Sequence, residues 1–220
     1  DPDHSIPDEV YPCAPPSDAQ RRTIVKMLKA VWKVDKPHEY QIRLIHFIAY
    51  NKGDPARVAC LQKTGKGKSL VYLACATLMR GITWVIPPLI AVGADQTTSV
   101  RAKSVPGKKI YSFHLDSMDD DFTMRLAKLL SSLPKIDKHS IILLASPKMF
   151  IPGSIWTRVF NKTVDNSTTR LGVLDESHYV WYSGRSFRPL FRDLGPNFVH
   201  KMWNKIPMLF TSATMNKICR

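Results

Sequence analysis

The sequence has no uninterrupted apolar run of about 18 residues, so it predicts no transmembrane helix. Its four cysteines form no Cys-x-x-Cys pair, which argues against a zinc site and favours free buried thiols in a reducing compartment. Acidic residues are few: 18 aspartates and glutamates stand against 32 lysines and arginines, for a net charge of +14. This excess of positive charge favours a polyanionic partner such as nucleic acid, with a merely soluble basic surface as the alternative.

The first sixteen residues are acidic and hold five prolines. This composition is wrong for a secretory signal peptide and predicts a disordered lead-in. Ser17 and Gln20 then form the pattern of a capping box, which begins a helix. With 44% apolar residues, the chain can bury a core. The sequence therefore predicts a lead-in over residues 1–16 and one domain over residues 17–220.

Short apolar runs alternate with helix-like segments along this domain. The predicted strands are RVACLQ (57–62), ITWVIPP (82–88), KKIYSFHL (108–115), SIILLAS (140–146), RLGVLDE (170–176) and PMLFTSAT (207–214). The predicted helices are one behind Ser17, one from Pro37 to about Tyr50, SLVYLACATLMR (69–80), LIAVGADQTTSV (89–100) and DFTMRLAKLLSSL (121–133), the last preceded by a helix-start loop, DSMDDD. Such alternation favours parallel strand pairing. The predicted fold class is α/β, with a mainly parallel sheet and helices on both faces.

The stretch KTGKGKS joins the first of these strands to a helix. A strand followed by a glycine-bearing loop and a helix is the context of a phosphate-binding loop, because backbone N–H groups and the helix N-terminus attract phosphate. Gly65 and Gly67 permit the turn, Lys68 would bridge the β- and γ-phosphates of ATP, and the Ser69 hydroxyl would hold Mg²⁺. The full pattern has glycine where this chain has Gln62, so a chance basic turn is the alternative. The candidate nucleotide-binding residues of the loop are Lys63, Thr64, Gly65, Lys66, Gly67, Lys68 and Ser69.

Two adjacent carboxylates, Asp175 and Glu176, end another apolar strand. Ligands of open α/β sheets bind at the carboxyl ends of strands. Asp175 would hold Mg²⁺ through water, and Glu176 would polarise the attacking water. The alternative is an ordinary polar strand end, which the phosphate loop upstream makes less attractive. The stretch TSAT (211–214) closes the last predicted strand and counts only through its position after this pair.

Several ordered motifs resemble those of RecQ-like DNA helicases, from about Asp18 to the C-terminus. The segment TGKGKSLVYLACATLMRGITWVIPPLIAVGADQ is similar to their first two motifs, LDESHYVWYSGRSFRPLFRDLG to their DEAH box and the aromatic-rich loop after it, LLASP to a strand-end motif, and TSAT to their third motif. In this class the phosphate loop commonly begins without the first glycine, so Gln62 is no longer an objection.

The resemblance implies a RecA-like ATP-binding domain, ATP hydrolysis with Mg²⁺, and 3′-to-5′ unwinding of DNA. It implies catalytic roles for Lys68, Asp175, Glu176 and His178, of which His178 would couple the nucleotide site to the third motif. Gln41 stands where the family's adenine-reading glutamine is expected, although the usual aromatic residue four positions earlier is missing.

The segment after the DEAH-like box is rich in aromatic side chains, which can stack on unpaired bases, and in arginines, which can pair with phosphate. The residues predicted to contact nucleic acid are Trp181, Tyr182, Arg185, Phe187 and Arg188. Packing of Trp181 and Phe187 in the core is the alternative. The chain also departs from the family here, because Ser183 stands where a tryptophan is expected and Arg185-Ser186 replace the usual His-Asp.

The expected partners are ATP and DNA, single-stranded or as a forked duplex, with no membrane. A second RecA-like domain, expected in cis, is absent from these 220 residues. The sequence therefore predicts the ATP-binding half of a RecQ-like helicase, as a fragment or a degenerate paralogue, located in the nucleus of a eukaryote or otherwise in the cytoplasm. Two alternatives remain open: an RNA helicase or remodelling ATPase with the same core, and a nucleic-acid-binding module with a vestigial ATP site.

Overall fold

The computed structural model describes residues 14–87, 110–132, 139–178 and 194–213. The strands in these ranges are β1 (Arg57–Leu61), β2 (Gly81–Ile86), β3 (Ile110–His114), β4 (Ser140–Leu144), β5 (Thr169–Leu174) and β6 (Met208–Ser212). The helices are α1 (Asp18–Met27), α2 (Glu39–Tyr50), α3 (Lys68–Met79), α4 (Asp120–Ser132), α5 (Ile155–Asp165) and α6 (His200–Met202). Wider π-helical turns cover Leu28–Trp32 and Gly195–Val199, and 3₁₀ turns cover Leu115–Ser117 and Pro147–Phe150. All six predicted strands are present.

The six strands form one sheet in the order β1-β6-β5-β2-β4-β3, and every neighbouring pair is parallel. The predicted parallel sheet is therefore confirmed. The register places Cys60 beside Thr211 between β1 and β6, and Leu174 beside Phe210 between β5 and β6. Because parallel strands end at one edge of a sheet, the residues that follow β1, β5 and β6 lie side by side there. These are the phosphate loop, the acidic pair and the end of the third motif.

Both faces of the sheet are buried under helices, as predicted. Successive residues of a strand point to opposite faces. On one face, Val85 and Ile142 belong to a core shared with α1, α2 and α3. On the other face, Trp84 and Leu143 belong to a core shared with α4, α5 and α6. The inner strands β2, β4 and β5 are apolar runs because both of their faces are buried, whereas the edge strands β1 and β3 each have an exposed residue, Ala59 and Tyr111.

The helix starts follow local hydrogen-bonding rules. At α1 the predicted capping box is present: the Ser17 hydroxyl accepts from the Gln20 N–H at 3.3 Å, and the Gln20 side chain accepts from the Ser17 N–H at 2.9 Å. Helix α2 begins at Glu39, slightly later than predicted. The predicted helix-start loop precedes α4, where the Asp119 carboxylate accepts from the Phe122 N–H at 2.7 Å.

Several sequence predictions fall outside the described residues. These are residues 1–13 of the lead-in, the helix-like segment 89–100, and the aromatic-rich segment 179–193. Of the predicted lead-in, the structure describes residues 14–16, where Pro16 is buried. Within the four described ranges, no helix has the length and apolar character needed to cross a membrane.

Candidate nucleotide-binding site

The loop between β1 and α3 is shaped by two glycines. Gly65 and Gly67 have φ angles of +82° and +79°, in the left-handed region that favours glycine. A Cβ atom at Gly67 would lie 2.7 Å from Nε2 of Gln41, so a side chain there would displace the glutamine. Gly67 is also the N-cap of α3, whose first N–H groups carry the positive end of the helix dipole. The predicted strand, loop and helix are all present, in an arrangement suited to phosphate.

Lys68 is buried at the start of α3, with 7% of its side chain exposed. Its Nζ atom donates to the Gln62 carbonyl oxygen at 2.9 Å and lies 3.3 Å from Oε1 of Glu176. Such partners are needed because an unpaired charge in the interior is costly. The fold thus joins the two predicted motifs, which are far apart in the sequence, through one ion pair.

The acidic pair is held by the end of β6. The Thr211 hydroxyl and the Glu176 N–H both donate to Oδ1 of Asp175, the second over 3.1 Å. The Ala213 N–H donates to Oε2 of Glu176 at 3.0 Å. Glu176 has a φ angle of +50°, a left-handed conformation that costs on the order of 1–3 kcal/mol outside glycine. These bonds fix the Glu176 carboxylate opposite Lys68.

His178 joins the same network. Its Nδ1 atom lies 2.9 Å from Oγ of Ser212 and 3.3 Å from Oε2 of Glu176. The imidazole therefore touches both the acidic pair and the third motif. This contact is the geometry that the predicted coupling role requires, and the role itself stays a prediction.

Burial raises the pKa of Asp175, whose side chain is almost completely enclosed. The bond from Thr211 and the charge of Lys68 act in the opposite direction, while the Glu176 charge adds to the rise. A divalent cation beside Asp175 would favour the ionised carboxylate. Ser69 and Asp175 offer hydroxyl and carboxylate oxygens, the hard donors that Mg²⁺ prefers. The donor chemistry of the site therefore fits a magnesium ion.

The buried cysteines near the site have unreactive thiols. Cys60 and Cys75 are free and buried, as predicted. Burial raises the pKa of the Cys60 thiol to about 12, and burial also raises the pKa of Cys75. Both thiols are therefore protonated at neutral pH and poor nucleophiles. Cys13 and Cys219 lie outside the described residues.

The first turn of α2 holds the phosphate loop from the side. The Tyr40 hydroxyl donates to the Lys66 carbonyl at 2.6 Å, and Nε2 of Gln41 donates to the carbonyls of Gly67 at 3.0 Å and Lys66 at 3.4 Å. Oε1 of Gln41 accepts from the His38 N–H at 2.9 Å. Sequence reasoning does not find Tyr40, because no spacing rule links it to the loop. Both ends of the Gln41 amide contact protein, which favours a role in holding the loop. Adenine reading by Gln41, which the family resemblance implies, is untested and is the alternative role.

Replacing Gln41 with alanine is expected to weaken the binding of ATP and GTP by similar factors. The change releases the phosphate loop, and a neutral hydrogen bond is worth about 0.5–1.5 kcal/mol, or roughly 2- to 13-fold in affinity. Titration of both nucleotides against both proteins measures this. Tyr40→Phe is the matched control, since it removes a loop contact and no base-reading group, and it should also lower both affinities. A loss confined to ATP would instead show that Gln41 reads the base.

The other predicted site residues divide into two groups. Lys63, Thr64 and Lys66 lie on the exposed side of the loop, and Ser69 is half-buried. The residues predicted to contact nucleic acid, Trp181, Tyr182, Arg185, Phe187 and Arg188, lie outside the described residues, as does Thr214. The geometry therefore bears on the nucleotide site and leaves the nucleic-acid contacts as predictions.

No protein-family model matches the chain. Among curated proteins, the ATP-dependent DNA helicase Q5 of Rattus norvegicus is 31% identical over 185 residues, which are 84% of this chain and 18% of that protein. The ATP-dependent DNA helicase hus2/rqh1 of Schizosaccharomyces pombe is 28% identical, over 74% of this chain and 12% of that protein. The ATP-dependent DNA helicase RecQ of Synechocystis is 27% identical, over 80% of this chain and 34% of that protein. The chain thus spans about a third or less of the length of these relatives.

Solved structures with a similar fold include the DUF1998 helicase MrfA bound to DNA, and the same helicase bound to DNA and AMPPNP. Each has a TM-score of 0.55 at 15% identity, and they cover 92% and 93% of this chain and 26% and 27% of those chains. Identity this low shows the fold alone, a RecA-like domain. The sequence similarities confirm the resemblance drawn from the motifs: over most of its length, the chain is similar to part of the RecQ-like DNA helicases.

Proposed function

We propose that the chain is the ATP-binding half of a RecQ-like ATP-dependent DNA helicase, which binds Mg²⁺·ATP and single-stranded DNA and moves 3′ to 5′. The observation that carries this proposal is the meeting of Lys68 with Glu176 at 3.3 Å, beside Asp175 and at the N-terminus of α3. The net charge of +14 and the names of the relatives, all DNA helicases, support DNA as the polymer.

In the proposed reaction the site residues act by position and charge. Lys68 exchanges the Glu176 carboxylate for the β- and γ-phosphate oxygens, while the N–H groups of the loop hold the remaining oxygens. Glu176, released from Lys68, orients the attacking water and accepts its proton as the bond to the γ-phosphorus forms and the bond from that phosphorus to the bridging oxygen breaks, so that ADP leaves. Ser69 and Asp175 would hold Mg²⁺, which would neutralise charge on the phosphates.

The end of β6 offers a path from nucleotide to polymer. The Ala213 N–H holds Glu176, and the Ser212 hydroxyl meets His178. When Glu176 leaves Lys68 during the proposed reaction, its contacts with the Ala213 N–H and with His178 can change. In this proposal, the change in these contacts passes through the third motif and signals the state of the nucleotide to the DNA-binding surface.

A polypeptide of these 220 residues is expected to bind Mg²⁺·ATP, to hydrolyse it very slowly, and to unwind no DNA. In related nucleotide hydrolases an arginine finger supplies on the order of 10³–10⁵ of the rate, and the family resemblance places that arginine in a second domain. Unwinding also requires two domains that close and open around nucleotide. Phosphate release and separation of a forked duplex measure the two activities. Robust strand separation by the purified polypeptide would contradict the proposal.

Binding to single-stranded DNA is expected to fall steeply as salt rises from 50 to 200 mM, since each phosphate contact releases counterions and several contacts together cost on the order of a hundredfold or more. The double variant Phe187→Ala with Arg188→Ala should bind single-stranded DNA more weakly than the wild type does at the same salt concentration. Titrations with DNA and RNA of equal length, each followed by an ATPase assay, show which nucleic acid the protein prefers. Equal stimulation by RNA would favour an RNA helicase or remodelling ATPase. Absence of nucleotide binding would favour a vestigial site.

A further inference from the structure

A groove lies between α4 and α5, on the sheet face opposite to α1, α2 and α3. Its volume is about 500 Å³, within the range of ligand-binding sites. Helix α5 lines it with Ile155, Arg158, Val159 and Lys162, and α4 lines it with the same i, i+3, i+4, i+7 spacing from Met124 onward. Two facing stripes of this kind form a straight trough about 10 Å long, the length of two helical turns.

The floor of the groove is aliphatic. Val159 and Ala127 are buried at its base, and Ile155 is half-buried. Met124 is 60% exposed at its wall. Methionine is a flexible side chain that adapts to a partner's shape. The apolar surface open to a partner therefore comes mainly from Met124 and from the half-buried Ile155.

The rim of the groove is cationic. Arg125 and Lys128 lie on one side, and Arg158 and Lys162 on the other, all with exposed side chains. Arg125 pairs with Asp121 of its own helix. In the described ranges of the chain, the other three cations form no ion pair with a carboxylate. Apart from the Asp121–Arg125 pair, positive charge thus borders the apolar strip on both sides.

We propose that this groove binds a short, acidic, amphipathic helix of a partner protein. A helix laid in a groove buries its apolar face against the floor and is recognised at i, i+3, i+4 and i+7 positions. Its flanking aspartates or glutamates would meet Lys128, Arg158 and Lys162, which supplies complementary charge and a fast association rate.

A peptide explains the groove better than a nucleic acid does. Unpaired bases bind by stacking on aromatic side chains, and none of the residues that line the groove is aromatic. A phosphate backbone would use the cations and leave the aliphatic floor without a function. The lining also contains no member of the Lys68–Glu176 network, so a docked helix leaves the nucleotide site open.

The test uses the 220-residue chain and a fluorescein-labelled peptide of about three helical turns, with leucines on one face and glutamates beside them. At about 0.15 M salt the peptide is expected to bind. A peptide with alanine for leucine, and one with glutamine for glutamate, should each bind at least tenfold more weakly, since each lacks one of the two recognised features.

Two matched double variants each reverse a pair of positive charges, one pair on α5 and the other on α1. Arg158→Glu with Lys162→Glu changes an arginine and a lysine four residues apart on α5, and should weaken peptide binding at least tenfold. Arg22→Glu with Lys26→Glu changes an equally spaced, exposed pair on α1, and should alter it less than twofold. ATP-analogue affinity should stay unchanged in both, which separates this proposal from the proposed function.

Three results would overturn the proposal. Equal losses in the two double variants would mean that net charge alone attracts the peptide. Equal binding of the leucine and alanine peptides would remove the apolar floor from recognition. The third result is displacement of the peptide from the wild type by an oligothymidine of equal charge. If this displacement also occurs in the Arg22→Glu, Lys26→Glu variant but not in the Arg158→Glu, Lys162→Glu variant, the groove is a nucleic-acid surface.

Discussion

Alanine at Lys68 is expected to weaken the binding of a fluorescent ATP analogue in Mg²⁺ by roughly 10- to 150-fold, the equivalent of a charged hydrogen bond worth about 1.5–3 kcal/mol. Without nucleotide, the ammonium group of Lys68 is held at 2.9 Å by the Gln62 carbonyl and at 3.3 Å by Glu176. The same buried charge is the one that the loop and the helix dipole of α3 would present to phosphate. Titration of wild type and variant measures the loss.

Lys63→Ala is the matched control, because Lys63 belongs to the same loop but is exposed. A surface charge contributes at most about 1 kcal/mol, so its removal should change the affinity only a few-fold. Lys68→Ala also leaves the Glu176 carboxylate without its cation, and the double variant Lys68→Ala with Glu176→Gln removes that charge if the single variant unfolds. Wild-type affinity in either Lys68 variant would show that nucleotide binds elsewhere.

Asparagine at Asp175 is expected to stabilise the nucleotide-free protein and to abolish its stabilisation by Mg²⁺·ATP. Burial raises the pKa of Asp175, so the ionised carboxylate is unfavourable in the fold, whereas the asparagine carbonyl can still accept from Thr211 and from the Glu176 N–H. At a ligand concentration 100 times the dissociation constant, bound nucleotide adds about 2.7 kcal/mol to the wild type. Thermal unfolding with and without Mg²⁺·ATP measures both effects.

The direction of the Asp175 pKa shift determines how the stability difference between the Asp175→Asn variant and the wild type changes with pH. A carboxyl group with a raised pKa in the fold contributes stability below its unfolded pKa, near 3.9, and loses it as pH rises through the folded pKa. The variant should therefore gain on the wild type as pH rises from about 4 and reach a plateau above the folded pKa. A difference in stability that does not grow at any pH above about 4 would contradict the assignment to Asp175.

Asp116→Asn is the control for metal binding. Asp116 has an enclosed side chain, follows β3 at the same edge of the sheet, and accepts from the Ser146 N–H at 2.8 Å. Its replacement should leave the effect of Mg²⁺·ATP intact. If both variants lost nucleotide stabilisation, the result would reflect general damage to the sheet edge rather than loss of a metal ligand.

The strands and the phosphate loop could be predicted from the sequence because each is a local pattern. A strand buried on both faces appears as an apolar run. Gly65 and Gly67 indicate a turn whose backbone conformation few other residues adopt. The order of the strands is not local. Nothing in the sequence says that β6 lies between β1 and β5. The rule that ligands bind at the carboxyl ends of parallel strands predicts that Lys68 and Glu176 share a site, but it does not predict their direct contact.

Helix α5 was missed because its local preferences oppose its structure. Five of its eleven residues are β-branched, and such residues are weak helix formers. Its start is set by Ser154, whose hydroxyl accepts from the Thr157 N–H at 3.0 Å. Its stability comes from packing, since Trp156 and Phe160 are buried against the sheet. The sequence nevertheless carries a signal for this helix, because its buried residues recur at i, i+3, i+4, i+7 and i+8 from Trp156, the spacing of an amphipathic helix.

The position of β6 also governs when this protein can become active during its synthesis. In the described sheet β1 pairs with β6 alone, and β6 is the last of the six strands to be made. A ribosome therefore releases the phosphate loop and the acidic pair long before the strand that joins them. Such a nascent chain carries all of the proposed catalytic side chains and still has no nucleotide pocket. Until Met208–Ser212 has emerged, β1 lacks its partner strand in this sheet, and an unpaired strand edge is prone to aggregation.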